Sequence, residues 1–146
     1  HVKNHASGEI VSQLTVDKLK LNRLDFIKID VEGMEREVLT GAKHTISTLQ
    51  PVIYVENNIE ENSCDLIQCL IELGYDCWWH FEPYFNPNNY KQNTNNIFAQ
   101  SGRPEINLVC FPKSHNKQFP DLIKVNSIND HWSQAFQQNI IRKVGR

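Results

Sequence analysis

The chain has 146 residues, 40% of them hydrophobic, which is enough for one domain with a buried core and argues against global disorder. The formal net charge of −2 gives no electrostatic basis for binding nucleic acid or an anionic membrane, and we expect neither as a partner. No apolar run approaches the roughly 18 residues of a membrane span, no secretory signal pattern is present, and the four cysteines form no C-x-x-C pair. Together these features predict a cytoplasmic protein.

The first half of the chain alternates between strand and helix patterns. Residues 10–15 are compatible with a short strand, and the apolar run 26–31 is typical of a strand buried on both faces, as in a parallel sheet. Gly33 supplies backbone freedom for a tight turn, after which apolar positions recur with a helical period over residues 34–49. Residues 52–55 form a second apolar strand pattern. This succession predicts a βαβ unit with parallel strands.

The second half of the chain contains two elements separated by a long irregular segment. A helix is predicted over residues 59–73, with Gly74 as its C-terminal cap. Residues 82–104 are rich in Asn and Pro and lack periodicity, which is typical of a lid, a binding loop or a disordered segment. The remaining predicted elements are strands at 75–81 and 106–111 and a helix at 131–142.

The predicted fold class is α/β, and its sheet is incomplete. The strand at 26–31 is apolar enough to require a neighbour on each side, yet only about 25 residues precede it. The chain also begins at His1 rather than Met, as expected of a fragment or a processed chain. We therefore predict a partial domain over residues 1–113, with its core at 24–57, and a linker and helix over 114–146. An open sheet edge of this kind would also favour self-association.

Polar residues follow both strands of the predicted βαβ unit. Asp30 and Glu32 follow the first strand, and Glu56 and Asn57 follow the second. Ligands of open α/β sheets bind beyond the carboxyl ends of the strands, where neighbouring strands are only about 5 Å apart. These side chains are candidates for a functional site, and ordinary turn and cap residues are the alternative. As hard oxygen ligands, Asp30, Glu56 and Asn57 would suit Mg²⁺ or Ca²⁺, unless Glu56 and Asn57 simply cap the next helix.

Aromatic side chains are frequent before and within the irregular segment. Such rings stack on sugars and cover apolar ligands, so they predict an acceptor pocket, with core packing and loop anchoring as the alternative. His80 lies among them and is a candidate general base. The aromatic residues concerned are Trp78, Trp79, Phe81, Tyr84, Phe85 and Tyr90.

Several segments carry a family resemblance. The sequence LDFIKIDVEGME at residues 24–35, followed by VLTGA at 38–42, resembles the signature of the FkbM-type methyltransferases. The segments PVIYVEN at 51–57 and NLVCFP at 107–112, together with the TVD at 15–17, are similar to further elements of that family. The similarity extends over about residues 10 to 113.

This resemblance implies the C-terminal part of a class I, Rossmann-like methyltransferase sheet. The implied activity is methyl transfer from S-adenosylmethionine to a hydroxyl of a glycan or natural product, so the expected partner is a small-molecule or glycan acceptor. Asp30 would orient the acceptor or take its proton, and Asp30 and Gly33 would contact the cofactor. Glu32 would assist, or would only neutralise backbone donors of the next helix. The glycine-rich, cofactor-binding strands of the family are missing from this sequence, which contains no G-x-G.

Two other functions are compatible with the same residues. Acidic side chains on neighbouring strands can hold two metal ions, so Asp30, Glu32 and Glu56, with Lys28 nearby, would also suit a metal-dependent nuclease or hydrolase. A truncated domain that lacks its cofactor site would instead act only through interactions with other proteins. We expect S-adenosylmethionine as the cofactor, with Mg²⁺ as a possible addition through the metal set named above.

Overall fold

The computed structural model describes residues 11–101 and 103–144, which form a mixed five-stranded sheet with four helices. None of the helices in these ranges is long and apolar enough to cross a lipid bilayer. Two short 3-10 turns, Val16–Leu19 and Lys113–His115, accompany the regular elements. These elements are β1 (Phe26–Ile29), α1 (Glu35–Gly41), α2 (Lys43–Leu49), β2 (Val52–Glu56), α3 (Glu60–Glu72), β3 (Tyr75–Glu82), β4 (Glu105–Pro112), β5 (Ile123–Lys124) and α4 (Trp132–Val144).

The strand order is β1-β2-β4-β3-β5. β1 and β2 are parallel, as the βαβ pattern predicts, and every other pair is antiparallel. The ends of β1, β2 and β3 and the start of β4 therefore lie along one edge of the sheet, which we call the carboxyl edge. The irregular segment at 83–104 connects β3 to β4 at this edge.

One face of the sheet forms the core. Strand register places Ile29, Val55, Leu108, Trp79 and Ile123 in one transverse row across all five strands, and all five are buried. Side chains of α1, α2 and α3 join them in a single apolar cluster. Since side chains alternate between the faces of a strand, the intervening residues point to the opposite face.

That opposite face is open over β1 within the described residues. Phe26 is 55% exposed, and Lys28 is exposed as well. The prediction of a strand buried on both faces is therefore wrong for the part of the chain that the structure describes. Here β1 pairs only with β2, so its outer edge is free as well. Further along this face, Trp78 is covered by Phe119, with ring centroids 5.1 Å apart.

The predicted helix over residues 34–49 is two helices. Ala42, with φ −110° and ψ 5°, interrupts the helix between α1 and α2. The carboxylate of Asp17 accepts hydrogen bonds from the backbone N–H groups of His44 and Thr45 and from the Thr45 hydroxyl, at 2.7–3.1 Å. These donors lie in the first turn of α2, so Asp17 stabilises the start of a separate helix. Residues 11–15 form no strand, contrary to the expectation for residues 10–15; residue 10 lies outside the described residues.

The C-terminal part of the chain packs on the same core. β5 pairs with β3, and Val125 and Ala135 belong to the apolar cluster. The ring of Phe136 on α4 contacts Phe81 at a centroid distance of 5.1 Å. The helix predicted at 131–142 is thus present as α4. The segment predicted as a linker and helix contributes both to the sheet and to its apolar cluster.

We expect Asp17→Ala to lower the free energy of unfolding by about 1 kcal/mol, the usual effect of losing a helix cap. Its bonds to the Thr45 backbone, the Thr45 side chain and the His44 backbone lower the pKa of Asp17 below 3.8. The stabilisation by the Asp17 carboxylate should therefore be complete above pH 3.8 and should disappear as the pH falls through the lowered pKa. Urea unfolding at pH 7 and pH 3 measures both effects.

The matched control for this prediction is Asp25→Ala, which removes a carboxylate whose ion pair with Arg23 is exposed. It should change stability by no more than about 0.5 kcal/mol. Equal losses in the two variants would show that Asp17 has no special capping role.

Candidate functional site at the carboxyl edge

Four polar side chains form a row across neighbouring strands, next to the carboxyl edge of the sheet. Glu56 pairs in register with Asn107, and Asn107 pairs with His80. Asp30 follows the Ile29–Val55 pair and so continues the same register beside Glu56. We call Asp30, Glu56, Asn107 and His80 the polar row. Because register partners share a face, all four side chains lie on the face opposite the core.

The turn after β1 has a specific backbone shape that brings Glu32 towards this row. Glu32 and Gly33 have positive φ angles of 53° and 97°, which for Glu32 is an unfavourable conformation. The buried Glu35 side chain holds the turn, because its Oε1 accepts hydrogen bonds from the N–H groups of Val31 and Gly33. A Cβ at position 33 would lie 2.9 Å from Ile59 Cδ1, so both backbone conformation and space favour glycine.

This geometry changes the role expected of Gly33. Its N–H is bonded to Glu35, and its carbonyl oxygen accepts a hydrogen bond of 3.4 Å from the Asn62 side chain. Both backbone polar groups of Gly33 therefore have partners in the protein. Gly33 therefore shapes the turn. Its N–H is already bonded to Glu35, so no free backbone donor at Gly33 supports the predicted contact with a cofactor.

Three of the predicted site residues come together. One carboxylate oxygen from each of Asp30, Glu32 and Glu56 lies within 4.8 Å of the others. Lys28 Nζ forms an exposed ion pair of 2.8 Å with Asp30 Oδ2. The fourth predicted member, Asn57, is buried, and its Nδ2 donates a 3.0 Å hydrogen bond to Ser63 Oγ of α3. Its amide group thus ties β2 to α3.

The carboxyl group of Glu56 is the most constrained of the three. Its side chain is only 8% exposed; Oε1 accepts a 2.6 Å hydrogen bond from Asn58 Nδ2, whereas Oε2 has no partner in the described residues. Burial, followed by the charges of Asp30, Glu32, Glu35 and Glu105, raises the pKa of Glu56 to about 7. A carboxyl group in this position is stable when it is protonated, or when a nearby cation neutralises its charge.

Asn107 was not among the residues predicted for the site. It is fully buried, and neither Oδ1 nor Nδ2 has a hydrogen-bond partner in the described part of the chain. Unpaired buried amides are rare in folded proteins because each costs free energy. The sequence did contain a signal, since Asn107 is a polar residue within a strand whose next four residues are apolar.

His80 lies at the far end of the polar row, three strand spacings or roughly 14 Å from Asp30. Its Nδ1 lies 2.9 Å from the Tyr54 hydroxyl, and its Nε2 lies 3.1 Å from Glu82 Oε1. The ring thus bridges Tyr54 of β2 and Glu82 of β3, with one nitrogen next to each. Burial and the charges of Glu105 and Glu82 raise the pKa of Tyr54 to about 12, so the phenol keeps its proton. His80 is therefore in the row but outside the acid cluster.

An apolar groove with a volume of about 400 Å³ lies between the 83–104 segment and α4, next to the carboxyl edge. Of the aromatic residues predicted to bind an acceptor, Phe81, Tyr84 and Phe85 line it. Trp78 and Trp79 are buried in the sheet, and Tyr90 is fully exposed. The predicted aromatic set is therefore divided: two residues pack in the sheet, three line the groove, and Tyr90 does neither.

The raised pKa of Glu56 predicts a pH-dependent stability. Between the ordinary value of 4.5 and about 7, the folded chain holds a proton that the unfolded chain releases, so stability falls as the pH rises through this window. We expect Glu56→Gln to be more stable than the wild type at pH 8 and equal to it near pH 4. Thermal unfolding in chelator-containing buffer measures this difference. The control is Glu61→Gln, an exposed change on α3, whose stability relative to the wild type should not vary with pH. A Glu56→Gln variant whose relative stability is equally independent of pH would contradict the raised pKa of Glu56.

Comparison with known proteins gives one match. Residues 3–77 match the family model of the methyltransferase FkbM domain. The matched segment contains β1, α1, α2, β2 and α3, and therefore all three clustered acids. Asn107, His80 and all residues that line the groove lie beyond it. No curated protein and no solved structure matches the chain. The matched segment covers half of the sequence and the resemblance of its motifs agrees with it: the chain belongs to the FkbM methyltransferase domain family.

Proposed function

We propose that the chain forms the acceptor side of an S-adenosylmethionine-dependent O-methyltransferase that acts at the carboxyl edge. The observation that carries this proposal is the convergence of Asp30, Glu32 and Glu56 within the segment that matches the family. S-adenosylmethionine supplies an electrophilic methyl group on a positively charged sulfonium. Nearby carboxylates stabilise such a cation, and most strongly where water is partly excluded.

The described residues fit the sulfonium of this donor but not its adenosine. The acids complement its cationic centre, with Asp30 as the residue that would lie nearest. No glycine-rich turn is present at the carboxyl edge of the described residues to receive the adenosine. The outer edge of β1, with Phe26 exposed, can accept further strands of a Rossmann-like sheet, and we infer that the adenosine-binding residues belong there.

Asp30 is the best placed of the three acids to act on an acceptor. It is exposed at the end of β1, whereas Glu56 is buried, so an incoming hydroxyl can reach it. Lys28 holds Oδ2 and thereby orients the carboxylate. In this account Asp30 would accept the proton of the acceptor hydroxyl as the hydroxyl oxygen takes the methyl group and the bond from that methyl to the sulfonium sulfur breaks, releasing S-adenosylhomocysteine. This role requires alignment of the hydroxyl and the exclusion of water. Glu32 contributes negative charge from the turn.

The groove is the proposed site for the rest of the acceptor. Its aromatic rings would stack on a sugar ring or cover an apolar natural product. Because the groove is lined by β3, the 83–104 segment and α4, an acceptor bound there would have to extend along the carboxyl edge to bring a hydroxyl to Asp30. His80 lies too far along the polar row to take a proton from a hydroxyl at Asp30. We assign His80 a structural role, because its ring nitrogens contact the Tyr54 hydroxyl of β2 and the Glu82 carboxylate of β3.

Asp30→Asn tests this proposal in the full-length gene product. Removing the proton acceptor should lower kcat by about 100-fold or more, the usual contribution of general base catalysis, with S-adenosylhomocysteine binding changed only a few-fold. The measurement is S-adenosylhomocysteine release in the presence of a panel of hydroxylated glycosides and natural products.

Asp25→Asn is the matched control, because Asp25 immediately precedes the same strand at its opposite end. It should retain full activity. Near-normal turnover by Asp30→Asn would refute the assigned role, and loss of activity in both variants would indicate damage to β1 rather than to catalysis.

A further inference from the structure

The acid cluster at the carboxyl edge has more negative charge than its protein partners neutralise. Asp30, Glu32 and Glu56 converge within 4.8 Å, and Glu35 and Glu105 add to the negative potential at Glu56. In the described residues, the only ion pair formed by the three clustered acids is that of Asp30 with Lys28. Like charges this close repel one another strongly, most of all where one of them is buried.

Two buried polar groups beside the cluster also lack partners. Glu56 contributes one of the three converging oxygens, and its Oε2 is unpaired although the side chain is more than nine-tenths buried. Asn107, the register partner of Glu56 on the same face, is completely buried with Oδ1 and Nδ2 both unpaired. Folded proteins rarely leave such groups unpaired unless a ligand, an ion or a water completes them.

We propose that Asp30, Glu32 and Glu56 bind a divalent cation of the Mg²⁺ or Ca²⁺ type, with the amide oxygen of Asn107 beside them as a neutral fourth donor. Carboxylate and amide oxygens are the ligands that these hard cations prefer, and opposite ligands of one such ion are roughly 4 to 5 Å apart. The three oxygens lie within 4.8 Å of one another, which is close enough for one ion to contact all of them. Water or an acceptor hydroxyl would complete the coordination.

This ligand set differs from the one that the sequence predicts. Asn57 is adjacent to Glu56 in sequence, but its amide group is bonded to Ser63. Asn107 comes from an antiparallel strand far along the chain and lies opposite Glu56. Glu32 joins the set because the left-handed turn at residues 32–33 brings it back to the cluster. The site goes beyond methyl transfer, since it requires neither donor nor acceptor.

Calorimetric titration of the full chain with MnCl₂, and separately with MgCl₂ and CaCl₂, tests the site without any enzyme assay. We expect saturable binding of one ion per chain. Asp30→Asn and Glu56→Gln should each weaken binding by at least about 10-fold, and Asn107→Ala should weaken it less. Lys28→Met removes the cation that competes for Asp30, so it should strengthen binding.

Asp76→Asn is the control, because Asp76 lies on the same sheet face at the far end of β3 and pairs with Lys124. It should bind as the wild type does, and circular dichroism verifies that each variant is folded. Absence of binding at millimolar metal, or equal affinity in the wild type and in folded Asp30→Asn and Glu56→Gln variants, would overturn the proposal. Either result would leave the proposed methyl transfer intact, because that activity is measured separately.

Discussion

A buried carboxyl group at the carboxyl edge of the sheet imposes the main physical constraint on this molecule. Glu56 is held at the end of β2 between Asp30 and Asn107, nearly inaccessible to water and close to four other acidic residues. Such a group is costly to keep charged, so it must hold a proton or face a cation. The proposed divalent ion and the proposed position of the donor's sulfonium both follow from the need to compensate this charge.

Strand register places the Glu56 carboxyl group at the carboxyl edge of the sheet. The apolar row from Ile29 to Ile123 fixes the alignment of all five strands, and the polar row is the next row on the other face. A shift of one residue would move the polar side chains into the core, so the register is strongly determined. The turn held by Glu35 then adds Glu32 to the same place.

Local patterns in the sequence predict part of the fold and part of the candidate site. The β1–β2 unit, the carboxyl edge and the acids Asp30, Glu32 and Glu56 could be predicted, because apolar periodicity and parallel strands fix where strands end. The division between α1 and α2 could not, since it depends on Asp17, far away in sequence. Asn107 was missed for a similar reason: its place beside Glu56 follows from antiparallel pairing across a long irregular segment, which no local pattern encodes.

Hydrogen–deuterium exchange of the full-length gene product, with and without S-adenosylhomocysteine, tests most directly whether the carboxyl edge is the reactive site. The account predicts slower exchange, on binding, of the amides in the turn at residues 30–35 and of those at residues 56–59. Measurable binding that leaves both segments unchanged and protects only other parts of the protein would contradict it.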